Sequence, residues 1–100
     1  MSFRRWPDER CLRGLTFNYG FEGQLDLGAL RRGIDLPMME GAQSWGETEV
    51  KIWVLPKRFE LRIGVRPGVV QMLHRVSAPM PQREADRRCF EAALAASLSP

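Results

Sequence analysis

Residues 48–76, TEVKIWVLPKRFELRIGVRPGVVQMLHRV, decide the fold. Side chains along a strand return to the same face every second residue. Val50, Ile52 and Val54 alternate with Glu49, Lys51 and Trp53, and then Phe59, Leu61, Ile63 and Val65 alternate with Arg58, Glu60, Arg62, Gly64 and Arg66. A third run, 69–76, keeps the rule with Val70, Met72 and Val76 inward once His74 joins them. The spacing predicts a three-strand meander. Proline cannot adopt the positive φ of a two-residue hairpin loop, so the first connection is expected to be a four-residue loop from Leu55 to Arg58 around a type I turn. Arg66-Pro67-Gly68-Val69 fits a type II turn, with proline setting φ at the second position and glycine supplying positive φ at the third.

Outward from the meander, residues 13–21 carry a strict alternation, with Leu15, Phe17, Tyr19 and Phe21 on one side and Thr16, Asn18 and Gly20 on the other. This predicts a fourth strand. Asp26 stands as an N-cap before Leu27, Leu30 and Ile34, which gives a short helix near 27–33, ended by Gly33 in the left-handed conformation. Residues 82–98 form the longest helical pattern, entered through Pro81 and carrying an apolar stripe of Cys89, Phe90, Ala93, Leu94 and Leu98. Residues 1–12 lack a sustained period and read as an irregular arm. Residues 35–47, DLPMMEGAQSWGE, read as a long loop with Leu36, Met38, Met39 and Trp45 on it. The fold class expected is α+β, one small antiparallel sheet of about four strands with the C-terminal helix packed on one face.

A chain of 100 residues makes one domain with one modest core. At 44% hydrophobic and 27% charged residues its composition is that of a folded globular chain. No apolar run reaches a membrane span and no apolar stretch follows the first residues, so a cytoplasmic protein is expected. Cys11 and Cys89 belong to no CxxC or Cys/His cluster, which favours two reduced thiols and leaves one bridge between them open. The net charge of +3 is unevenly spread, with seven basic residues against Glu60 alone over 51–83. That local excess, mostly arginine, suits planar contacts to an anionic or protein partner.

The chain offers little chemistry. One histidine excludes a His pair for a metal, and there is no GxSxG, no phosphate-cradling glycine loop and no acidic cluster spaced for a cation. A thiol of Cys11 or Cys89 beside His74 is the one conceivable nucleophile pair. Both Cys89 and His74 fall on expected core faces, however, so no catalytic residue, metal or cofactor is expected. The outward side of the meander would present Lys51, Trp53, Arg58, Glu60, Arg62, Arg66, Leu73 and Arg75. Tryptophan and arginine are enriched where protein interfaces carry their energy. The partner-binding residues expected are therefore Trp53, Arg62, Arg66, Lys51 and Arg75, with Trp45, Met38 and Met39 from the long loop.

These features point to a non-enzymatic protein-interaction module, an adaptor or an inhibitor that occludes a partner. A mobile-element inhibitor of a host or phage-defence complex fits that size and chemistry. The rival reading is a nucleic-acid binder that stacks a base on Trp53 and holds phosphates with the arginines. A homodimer through an open strand edge or the alanine-rich helix is the remaining partner.

Overall fold

The computed structural model describes residues 2–10 and 13–100. The elements run in the order β1 (Phe3–Pro7), β2 (Thr16–Phe21), β3 (Gln24–Leu25), α1 (Leu27–Gly33), β4 (Met39–Trp45), β5 (Thr48–Leu55), β6 (Phe59–Arg66), β7 (Val69–His74), α2 (Met80–Ser97) and β8 (Leu98–Ser99). Six strands make one antiparallel sheet in the order β1-β2-β7-β6-β5-β4, and β3 pairs with β8 in a short ribbon. The protein is thus α+β, with the predicted meander and the predicted strand β2 in one sheet, where β2 pairs with β7.

The strand count is six rather than four, because the arm and the loop each supply an edge strand. In β1 a charged residue lies on each side of the alternation, so Phe3, Arg5 and Pro7 do not separate from Arg4 and Trp6 by polarity. In β4 the sequence MEGAQSW contains no β-branched residue. Its extended form comes from pairing with β5 along its whole length, Met39 opposite Val54 through Trp45 opposite Thr48. Strand formation here follows from the neighbour, not from local preference.

One face of the sheet is covered by the helices. Tyr19, Trp53, Leu55, Phe59, Leu61, Ile63, Val70 and Met72 from the strands join Leu30 and Ile34 beside α1 and Phe90, Ala93 and Leu94 of α2 in a single buried cluster. Asp26 caps α1, its carboxylate accepting from the Ala29 amide at 3.0 Å. Gly33 does not end the helix in the left-handed region as expected. It lies where α1 touches α2, and a Cβ there would come within 2.8 Å of the Ala93 methyl. On α2 the buried positions are Asp86, Phe90, Ala93, Leu94 and Ser97. Cys89 is exposed, one residue off the stripe assigned to it.

The loop between β5 and β6 is shorter than expected and sets the register of the meander. Leu55 pairs with Phe59, the Arg58 amide donates to the Leu55 carbonyl at 3.1 Å, and Lys57 takes φ 68°. A positive φ at the third position marks a type II turn, not the type I turn inferred from the sequence. The Arg66–Val69 turn does match its sequence, with Gly68 at φ 69°. Between Ile63 and Arg66 the β6–β7 ladder is interrupted at Gly64, φ 102°, which approaches the Glu49 carbonyl too closely for a side chain. That irregularity carries Val65 away from the helix side, to which period two assigned it, and sets it beside Arg62 and Leu73.

Candidate functional site

Two surfaces of the sheet gather the residues picked out by sequence. The first is the face turned away from both helices. Register places Trp6 opposite Asn18, Asn18 opposite Gln71, Gln71 opposite Arg62 and Arg62 opposite Ile52, so all five share that face. Trp45 and Met39 stand on it from β4, 39% and 60% exposed. The Arg62 guanidinium carbon lies 5.4 Å from the centre of the Trp45 ring, and Arg4 takes the same position over Trp6 at 5.6 Å. Cation–π stacking of this kind holds an aromatic ring on the surface in one orientation. Glu60, almost wholly buried, accepts from Arg62 and, at 3.3 Å, from Arg75. An open cleft of about 440 Å³ runs between Trp45, Arg62, Val65, Leu73, Gln71 and Asp8.

Three of the expected partner-binding residues lie elsewhere. Trp53 is opposite Leu61 on the helix side and only 4% exposed, so it is core and not an outward platform. Met38 is buried at 7% in the same cluster. Lys51 shares the side of Trp53, with its ammonium 4.0 Å from Glu49. Arg66 keeps the outer face, since it pairs with Val69, Val69 with Gly20 and Gly20 with Arg4, and it lines a cleft there with Trp6. Arg58, also expected on the outer face, instead bonds Asp86 of α2. Arg62, Arg66, Arg75, Trp45 and Met39 are left together on the outer face. Trp6 and Arg4, assigned to an irregular arm, belong with them; the single signal in the sequence was Trp6 placed two residues from Arg4 among strand-compatible neighbours.

The second surface is a cleft of about 670 Å³ between α1 and the β4–β5 edge of the sheet. Trp53 and Leu27 line its apolar part, Ala42 and Gly41 its strand wall, and Arg31, Arg32, Lys51 and Glu40 its rim. Arg31 is held in place by the Ile34 carbonyl at 3.0 Å and by Glu40 at 3.3 Å. No sequence pattern announced this cleft, because it depends on β4 being a strand.

The suspected thiol–imidazole pair does not form with Cys89, which is exposed while His74 is buried; Cys11 lies outside the described residues, and with it any bridge to Cys89. His74 Nε2 accepts from Arg87 Nη1 at 3.1 Å, which leaves the proton on Nδ1, and Nδ1 has no partner among the described residues. Burial and the Arg87 charge push the imidazole down to about 4. Tyr19 donates to Glu91 at 2.8 Å, and burial raises its hydroxyl well above the ordinary value. Among the described residues no group of His, Cys, Asp or Glu is placed to hold a metal, and no helix is long and apolar enough to cross a membrane. No family model matches this chain, no curated protein matches its sequence, and no solved structure matches its fold.

Proposed function

We propose that this chain is a non-enzymatic protein-interaction module, an adaptor or inhibitor, that docks a partner protein on the outer sheet face around Trp45 and Arg62. The observation that carries this reading is the state of the cations around Trp45. Arg62 is already stacked on Trp45 and paired with Glu60, and Glu60 also engages Arg75. A phosphate backbone would have to displace Glu60 and lift Arg62 from the ring before it gained a hydrogen bond. A protein surface gains from the arrangement as it stands, since arginine and tryptophan held in fixed orientations lose little freedom on binding. A cytoplasmic location belongs to the same reading.

Affinity purification from the native cell, with a nuclease-treated control, tests it. Titration of the purified partner against the intact chain should then lose at least tenfold in affinity on Arg62→Glu or Leu73→Glu, measured where circular dichroism shows both variants folded, because each sets a second carboxylate beside Glu60 and costs stability. If both variants bind every recovered partner normally, the outer face is the wrong surface. Binding of a single-stranded oligonucleotide that weakens steeply with salt and disappears in Arg62→Glu would instead establish the nucleic-acid reading.

A further inference from the structure

The two edges of the sheet are built differently. β1 ends the sheet on one side with Arg4, Arg5 and Pro7 within five residues. Charge and proline of this kind are how edge strands are kept from pairing. β4 ends it on the other side with seven exposed residues that include no proline, lysine, arginine or bulge. No strand among the described residues pairs with its outer edge. The side chains of Glu40 and Ala42 share a face with Trp53 and Lys51, their partners in β5, and that face opens onto the cleft under α1.

We infer that the free edge of β4 and helix α1 together form a docking groove for an extended peptide that joins the sheet as a seventh strand and carries an acidic side chain two residues from an apolar one. Strand addition of this kind draws affinity from main-chain hydrogen bonds and specificity from pockets that take every second side chain. The charge on the rim selects the partner. Arg31 is engaged by Glu40, whereas Arg32 has no ion pair among the described residues and Lys51 has only a 4.0 Å approach to an exposed glutamate. Two cations thus stand over a cleft floored by Leu27 and Trp53, and a carboxylate two residues from an apolar side chain satisfies both parts. The groove accommodates about seven residues of partner, the length of β4. It is independent of the outer-face reading, since β4 turns opposite sides to the two surfaces.

A displayed library of random ten-residue peptides, selected against the intact chain, should enrich sequences with Asp or Glu two residues from an apolar side chain. The selected peptide, added to isotopically labelled protein, should protect the amide protons of Met39–Trp45 from exchange and shift the resonances of Leu27 to Arg32. Arg32→Glu combined with Lys51→Glu should weaken it at least tenfold, the loss of one charge-assisted hydrogen bond or more. N-methylation of alternate peptide amides should abolish binding, and Arg62→Glu should leave it unchanged. Selection without acidic residues, protection outside β4, or full affinity in the double variant would overturn the inference. So would protection of the same amides without peptide in a concentration-dependent dimer, which would assign the groove to a second copy of this chain.

Discussion

Arg58, in the loop between β5 and β6, donates through Nε at 3.3 Å and through Nη2 to the two carboxylate oxygens of Asp86 on α2. The Asp86 side chain is 1% exposed, and Gln82 supplies a further bond at 2.9 Å. This pair fastens the long helix to the turn that sets the meander's register. The buried member is Asp86, so Arg58→Ala, which strands its charge, should cost about 3 kcal/mol, and Asp86→Ala less, because the one-third exposed Arg58 returns to water. Urea unfolding measures it; a loss under about 1 kcal/mol would show that solvent replaces the pair.

His74 makes the fold sensitive to acid. Above the ordinary value of 6.5 both folded and unfolded chains hold a neutral imidazole. Between 6.5 and about 4 only the unfolded chain takes the proton, so stability falls as pH falls, and below about 4 the loss is complete. The full effect is up to roughly 3 kcal/mol. His74→Leu should flatten this part of the stability–pH curve. A nuclear magnetic resonance titration of the folded ring should find its midpoint near 4; a midpoint near 6.5 would mean that the ring is solvated.

Trp53 teaches how far the sequence could be read. A four-residue loop pairs Val54 with Phe59 and sends Ile52 and Val54 inward; the observed loop pairs Leu55 with Phe59 and sends Trp53 and Leu55 inward instead. A shift of one residue turns a strand over. The run Ile52-Trp53-Val54-Leu55 is apolar on both sides, so alternation had no power to choose, and Lys57 gave no sign that it would accept positive φ. Strand β6, with one polar side up to Gly64, was legible, as were α1 and α2; β7, whose outer side carries Val69, Gln71 and Leu73, was legible chiefly through the turn at Pro67-Gly68. The outer site was legible in Arg62 and Arg75 but not in Trp53, and the groove beside β4 was invisible because MEGAQSW is a strand only by virtue of β5. Trp53→Ala should accordingly cost about 3 to 5 kcal/mol, as loss of a core ring does. A variant that melted like the wild type would return Trp53 to the surface.

Lys57 is the one described non-glycine residue at positive φ. The left-handed conformation costs an ordinary residue about 1 to 2 kcal/mol. Glycine escapes that cost but loses about 0.5 to 1 kcal/mol through the freedom of its unfolded chain. Lys57→Gly should therefore stabilise the protein by up to about 1 kcal/mol and leave the β5–β6 register intact. A higher melting temperature with unchanged amide shifts in β5 would confirm the turn type. Destabilisation would mean that the lysine side chain holds the loop through some other interaction.

Gly33 and Ala93 set the distance between the two helices. A Cβ on Gly33 would lie 2.8 Å from the Ala93 methyl and 3.2 Å from its Cα, closer than real carbons pack. Gly33→Ala gains helix propensity yet must push α1 off α2, and overpacking of this size costs about 1 to 3 kcal/mol. Ala93→Gly alone should also destabilise, by about 1 kcal/mol of lost propensity within α2. In the double variant the glycine on α2 gives back part of the room that the alanine on α1 takes. Its cost should be smaller than the sum of the two single costs by about 1 kcal/mol, since touching residues do not add. The new methyl would still crowd the α2 backbone at residue 93, so the rescue is partial. Additive costs would place the helices further apart than this packing allows, and would equally weaken the case that α1 stands firmly enough to wall the groove beside β4.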